Sequence, residues 1–175
     1  EYKKKLIEEL LMQTTKETIL LDQFHPANNI FEYRTKIEYS FGEFEDKLYL
    51  AFHKRGDYST KVKLPNGCAL IDNKTNEIAL SILESLRKKN ITSSILKTLI
   101  IRTSKRYPQK IASLFVKEMD FRFDYDEDLN IIYSKPVSSI SSIDGVIRKG
   151  KIDLSERISG MEFRYGFDCF FQNNV

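Results

Sequence analysis

Three features of the 175-residue sequence predict an α+β fold built on a mostly antiparallel sheet with flanking helices. The first is a strict alternation from Phe31 to Gly42, with Phe31, Tyr33, Ile37, Tyr39 and Phe41 on one strand face and Glu32, Arg34, Lys36, Glu38 and Ser40 on the other. The second is a series of short β-branched and aromatic runs separated by turn residues. The third is that the helix-periodic segments lie outside these runs and do not alternate with them one for one, which argues against a parallel α/β sheet.

Taken in order, residues 1–13 place Leu6, Ile7, Leu10 and Leu11 at helical spacing with lysines and glutamates opposite, the pattern of an amphipathic helix lying on another surface. Thr14 to Asn29 reads as a connector, since His25-Pro26 and Asn28-Asn29 disfavour continued helix. The alternating strand from Phe31 comes next. Gly42 to Asp46 reads as a hairpin turn into a strand over Lys47 to Lys54, and a third strand near Tyr58 to Leu64 completes a meander that Pro65-Asn66-Gly67 ends.

Asp72 or Asn73 caps a helix reaching about Lys89, with Ile78, Ile82, Leu83 and Leu86 as its apolar stripe and Arg87-Lys88-Lys89 at the negative end of its dipole. Leu96 to Thr103, Lys110 to Lys117 and Asn130 to Ser134 read as further strands. The acidic, aromatic stretch from Phe121 to Leu129 fits a short helix or a loop, and the serine-rich stretch from Lys135 to Asp144 is the least ordered in composition.

Composition limits the function. A 41% hydrophobic share supplies a sizeable core without disulfide staples. No apolar run approaches the length of a membrane span, and the residues after Glu1 lack the apolar stretch and cleavage pattern of a signal peptide, so the expectation is a cytoplasmic protein with no membrane partner. Two cysteines, Cys68 and Cys169, make neither a disulfide framework nor a complete metal set. The two histidines, His25 and His53, sit in no recognisable triad. The net charge of +3 does not by itself imply nucleic acid, so the distribution of charge carries the argument.

That distribution leaves two readings open: solvated charged faces, which such runs more often are, and an RNA-binding surface. Arg34 and Lys36 share a strand face, His53-Lys54-Arg55 closes the next strand, and Lys61 and Lys63 follow on the third. Lys97, Arg102, Lys105, Arg106 and Lys110 form a basic run without an intervening acid, with Tyr58 and Tyr107 as interleaved aromatics. Cations neutralise phosphates and aromatic rings stack on unpaired bases, which is how single-stranded RNA is usually read. The acidic run Glu118 to Asp128 must face away from RNA or pair with lysines.

Further landmarks follow the alternating strand: Leu50-Ala51-Phe52-His53-Lys54-Arg55-Gly56, then Cys68-Ala69-Leu70, then Phe163-Arg164-Tyr165 with Phe170-Phe171-Gln172-Asn173-Asn174. In this order after Tyr33-Arg34-Thr35-Lys36-Ile37-Glu38, they resemble the RNA uracil-5-methyltransferases, which make 5-methyluridine in ribosomal and transfer RNA with S-adenosylmethionine. The resemblance covers nearly the whole chain but only the middle of that family's three-part architecture. It implies that residues 1–161 are the central α+β RNA-recognition domain, and residues 162–175 the start of a truncated methyltransferase domain. RNA would then be the partner, together with the remaining domains of a longer parent chain.

The resemblance also assigns residues. Gln172 matches the family glutamine that contacts S-adenosylmethionine, Phe170 matches a position near the target base, and Arg34, Lys36, His53, Lys54 and Arg55 become the RNA-contact candidates. Cys68 is similar in setting to the fourth ligand of a four-iron, four-sulfur cluster that some members carry; the alternative is a buried free thiol. One thiolate cannot hold such a cluster. Methylating uracil C5 needs a thiolate to add at C6 and a base to remove the C5 proton. The family's Ser-Cys-Asn-Pro setting does not surround Cys169, and no glycine-rich cofactor loop is present. The chain alone is therefore expected to be inactive and to hold neither S-adenosylmethionine nor a cluster. The competing expectation is a stand-alone RNA- or protein-binding module, in the latter case docking through the apolar side of the first helix.

Overall fold

The computed structural model describes residues 2–135 and 143–173. Most of the serine-rich stretch read between Lys135 and Asp144, and Asn174, lie outside the described residues. The chain divides into two compact units, residues 1–30 and 31–175. In the first, helix α1 spans Tyr2–Thr15 and closes with Thr14 and Thr15 hydroxyls donating to the carbonyls four residues back. None of its residues is buried, and Leu6, Ile7 and Leu10 stay 40%, 40% and 54% exposed. Among the described residues of this unit α1 is the one regular element, and Glu8 turns back from it to accept the Leu21 amide at 3.0 Å.

The second unit is the α+β body. Strands β1 (Lys36–Phe44), β2 (Lys47–Lys54) and β3 (Asp57–Lys63) form the meander, and helix α2 (Asn73–Lys88) follows. Strands β4 (Leu96–Thr103), β5 (Lys110–Val116), β6 (Asn130–Tyr133) and β7 (Gly145–Ile147) complete a seven-stranded sheet in the order β3-β2-β1-β4-β5-β6-β7. Every pairing is antiparallel except β5 with β6. Strands β8 (Asp153–Ile158) and β9 (Met161–Gly166) form a separate hairpin.

The alternation of the opening strand holds, but only from Lys36. Ile37, Tyr39 and Phe41 are buried while Lys36, Glu38 and Ser40 are not. Phe31 is 58% exposed, correcting the expected start, because Glu32 adopts a left-handed φ of 53° that breaks an extended strand. Residues 32–34 instead bond across to the loop after β3, with the amides of Glu32 and Arg34 donating to the carbonyls of Ala69 and Leu70. The first turn is also shorter than its composition suggests. Strand β1 continues through Gly42 to Phe44, and Glu45 and Asp46, at φ 52° and 56°, make the two-residue reversal that suits the twist of a hairpin.

Helix α2 matches its sequence signals. Asp72 caps it by accepting the Thr75 amide at 2.9 Å, and Ile82, Leu83 and Leu86 are essentially fully buried against β1, β2 and β4. Burial of such a side chain stabilises by about 2 kcal/mol. The stretch from Phe121 to Leu129 is a loop, not a helix; it connects the parallel pair β5 and β6 across the same face, where Phe121, Phe123 and Tyr125 stack in series and the Tyr125 hydroxyl donates to Ser81.

Asn76 on α2 ties the core to the loop before it. Its carboxamide accepts the Cys68 amide at 2.8 Å and the Tyr39 hydroxyl at 3.0 Å, and donates to the Cys68 carbonyl at 3.0 Å. Gly67 permits this approach, because a Cβ there would lie 2.0 Å from the Asn76 carboxamide oxygen. Asn76→Ala leaves three buried groups without partners and is expected to lower unfolding stability by about 3 kcal/mol in a urea melt. A loss under about 0.5 kcal/mol would mean the clamp carries little of the fold.

Candidate nucleic-acid interface

Alternation fixes two unlike sheet faces. Ile37, Tyr39, Leu99, Ile101, Ala112 and Leu114 face α2, while the opposite face divides into a covered and an open part. Over β4 to β6, Ile100, Phe115 and Ile132 meet Phe167, and Ile111 meets Leu154 and Tyr165 of the β8-β9 hairpin. Within this second unit no described element covers the sheet over β1 and β2, and a cleft of about 630 Å³ opens there. Arg34, Lys36, Glu38, Ser40, His53, Lys97 and Asn173 contribute to its walls.

The cleft is cationic. Lys36 stands 3.8 Å from Glu38, the carboxylate in the cleft wall. Partial burial holds the Lys36 ammonium below the usual lysine range, and the nearby charges of Arg102 and Arg34 push the same way while Glu38 opposes them. Lys97 enters from the neighbouring strand beside a bulge in β4, with its ammonium donating to Ser134 at 2.9 Å. An anion would relieve the repulsion among these groups. His53 is held on both sides: Nδ1 lies 2.6 Å from the Tyr58 carbonyl and Nε2 lies 2.7 Å from the Ser40 hydroxyl. A carbonyl only accepts, so Nδ1 carries the proton, and in the neutral ring Nε2 accepts from Ser40.

The C-terminal segment borders this cleft. The carbonyl of Asn173 accepts from the Thr35 amide at 2.8 Å and from its hydroxyl at 3.3 Å. Phe171 stacks on Tyr165 at 4.0 Å, Gln172 is exposed, and Phe170 is 85% exposed.

The sequence-predicted site residues therefore separate. Arg34, Lys36 and His53 meet in the cleft, joined by Lys97, Ser40 and Asn173, which residue type alone does not mark out. Lys54 and Arg55 sit exposed at the β2-β3 tip, outside the cleft walls. The expected basic run is not one patch: Arg102 is 4% exposed, Lys110 pairs with Glu127 at 2.7 Å, and the Lys105 ammonium donates to the Glu32 carbonyl. Strand alternation and the turn between β4 and β5 send these side chains in different directions. The acidic run lies on the α2 side, where Lys149 also pairs with Asp124 at 3.4 Å.

No protein-family model matches the chain. An uncharacterized RNA methyltransferase of Clostridium acetobutylicum is 26% identical over 170 residues, covering 82% of this chain and 36% of that protein. Among solved structures, the crystal structure of the Pyrococcus abyssi tRNA (uracil-54, C5)-methyltransferase with S-adenosyl-L-homocysteine superposes with a TM-score of 0.70 at 17% identity. The resemblance to the RNA uracil-5-methyltransferases holds. That superposition covers 99% of this chain and 44% of the Pyrococcus protein, so the α+β fold is shared while the chain spans less than half the length of either relative.

Two groups associated with the RNA uracil-5-methyltransferases can be tested against the residues present. An iron-sulfur cluster needs several thiolates, whereas Cys68 lies buried in the α2-side core and no group of three or more metal-binding side chains forms among the described residues. The donor set does not fit a cluster. Of the residues assigned to S-adenosylmethionine, Gln172 lies exposed, and one carboxamide supplies only a fragment of a cofactor site.

At the β2-β3 tip, the exposed Asp57 carboxylate accepts from the hydroxyls of Ser59 and Thr60, each at 2.5 Å, and these bonds pull it down to about 2. Because the folded value lies below the unfolded one, this contribution is present above about pH 4 and is lost as pH falls through about 2. A carbon-detected NMR titration should place the Asp57 midpoint near 2. A midpoint near the ordinary aspartate value of about 3.9 would mean these hydrogen bonds do not persist in solution.

Proposed function

We propose that this chain is the RNA-recognition part of a longer S-adenosylmethionine-dependent RNA (uracil-5-)methyltransferase, acting in the cytoplasm on ribosomal or transfer RNA. The observation that carries this reading is the open, cationic strand face of β1 and β2, edged by an almost fully exposed phenylalanine, in a fold shared with a tRNA methyltransferase. Arg34, Lys36 and Lys97 would neutralise phosphates along the cleft. Lys54 and Arg55 would extend the track from the hairpin tip, and Phe170 would stack on a base released from its neighbours. In this reading residues 1–161 position the RNA and residues 162–175 lead toward the domain that performs the chemistry. The 175-residue chain transfers no methyl group by itself, Gln172 acts only when the parent supplies the rest of its site, and Cys68 is either a ligand completed by the parent or a buried free thiol.

The cleft residues orient and bind; they do not exchange protons with a substrate in this account. The doubly held His53 presents a fixed ring edge to the cleft, and Ser40 keeps it there. A second reading rests on α1, whose exposed Leu6, Ile7 and Leu10 could dock a protein. The two readings differ in salt dependence, because counterion release accompanies phosphate binding.

Replacing both Arg34 and Lys36 by alanine tests the assignment in the 175-residue chain, using a single-stranded uridine-rich oligonucleotide and fluorescence anisotropy. Each lost phosphate contact should reduce the slope of log K against log salt by about 0.7, so the double variant should lose about 1.4 while melting at the unsubstituted temperature. An unchanged affinity and slope would mean that this strand face is merely solvated.

A further inference from the structure

We propose that Arg102 is a positioning residue that fixes the C-terminal strap, residues 167–173, so that Phe170 is presented beside the cationic cleft; this rests on the RNA reading above. Arg102 projects from β4 on the cleft side of the sheet, directly across from Lys36 in the strand register, and is only 4% exposed. Its guanidinium donates to the Cys169 carbonyl, the group immediately before Phe170, and lies 5.7 Å from the centre of the Tyr165 ring. Tyr165 in turn stacks on Phe171, immediately after Phe170, with the two rings 6° from parallel. Beyond them Asn173 accepts from Thr35.

The strap is thus anchored on both sides of one residue, and that residue carries an exposed aromatic ring. Phe170 is 85% exposed although its two neighbours are held by a buried cation and a ring stack. Asn173 in the cleft wall follows three positions later, a reach of at most about 11 Å. Packing alone would not select an arginine at position 102. Burying a guanidinium is costly, its Nε has no hydrogen-bond partner among the described residues, and an apolar side chain would fill the same face at lower cost. What the guanidinium supplies is direction: it fixes where the carbonyl before Phe170 points, and through it the ring. Arg102 also lies close enough to Lys36 to lend its charge to the cleft.

The test uses the 175-residue chain and a single-stranded oligouridylate carrying one 2-aminopurine, whose fluorescence falls when the base stacks on an aromatic ring, together with amide hydrogen exchange. Arg102→Met should speed exchange at Thr35 and Cys169 and remove the 2-aminopurine quenching as fully as Phe170→Ala does, with affinity down about tenfold in each. Arg102→Lys, which keeps the charge and one donor, should recover part of both signals. In the unsubstituted chain, saturating oligonucleotide should slow exchange at Thr35 and Cys169, a reciprocal effect that needs no variant to fold. Quenching that disappears in Phe170→Ala but persists in Arg102→Met, or exchange at Thr35 and Cys169 that ignores bound RNA, would overturn the positioning role while leaving the RNA reading standing. Failure of the unsubstituted chain to bind the oligonucleotide at all would refute the RNA reading and this inference with it.

Discussion

Strand β1 is an interior strand of a seven-stranded sheet and carries charge on one face, and that combination constrains the rest of the molecule. Its apolar side, Ile37, Tyr39 and Phe41, must meet a hydrophobic layer, which α2 and the loop after β5 supply. Its polar side, Lys36, Glu38 and Ser40, must stay wet or meet a partner of opposite charge, since desolvated cations without partners are costly. A second covering layer can therefore extend over β4 to β6, where the outward residues are Ile100, Ile111, Phe115 and Ile132, but not over β1 and β2. The cleft lies at the boundary between the two regimes.

The same boundary explains the placement of the C-terminal strap. Apolar Phe167 and Phe171 fasten it where the sheet face is greasy, and the carbonyls of Cys169 and Asn173 are bonded where the face turns polar. Gln172 and Phe170, which do neither, remain exposed. An anionic, base-bearing polymer is the kind of ligand that satisfies both a cationic trough and an exposed ring along its edge. The acidic loop meets the same electrostatic demand from the other side: Phe121 and Tyr125 bind it to the α2 face, and Lys110 and Lys149 offset part of its charge.

Local patterns in the sequence foretold what local forces decide. The stripe of α2 with Asp72 as its cap, the alternation of β1 after Lys36, and the runs of β2 to β6 all follow from side-chain periodicity and turn chemistry. What periodicity could not foretell depends on partners distant in sequence. Phe31 fits the alternation yet is exposed, because residues 32–34 bond to the Ala69-Leu70 loop instead of joining the sheet. Strands β7 and β8 were missed: the first has only three residues, and the second, Asp153–Ile158, has a charged sequence whose Glu156 is nevertheless buried, accepting the Lys105 amide at 2.8 Å. Lys36 and His53 were legible as a set because adjacent strands bring them together, whereas Arg34, expected on the same strand face as Lys36, reaches the cleft from the segment before β1 that the Ala69-Leu70 loop holds. Lys97 was visible only as part of a basic run, and Arg102 in that run turns inward, a difference that register and the position of the strap decide.

The most direct measurement of the central claim is photocrosslinking of a 4-thiouridine-containing single-stranded RNA to the chain, with the adducts mapped by mass spectrometry. The account predicts adducts at Phe170 and on peptides bearing His53 and Lys36, with none on α2 or on the loop from Glu118 to Asp128. Adducts concentrated on α2 or that loop, with the open strand face unlabelled, would contradict it.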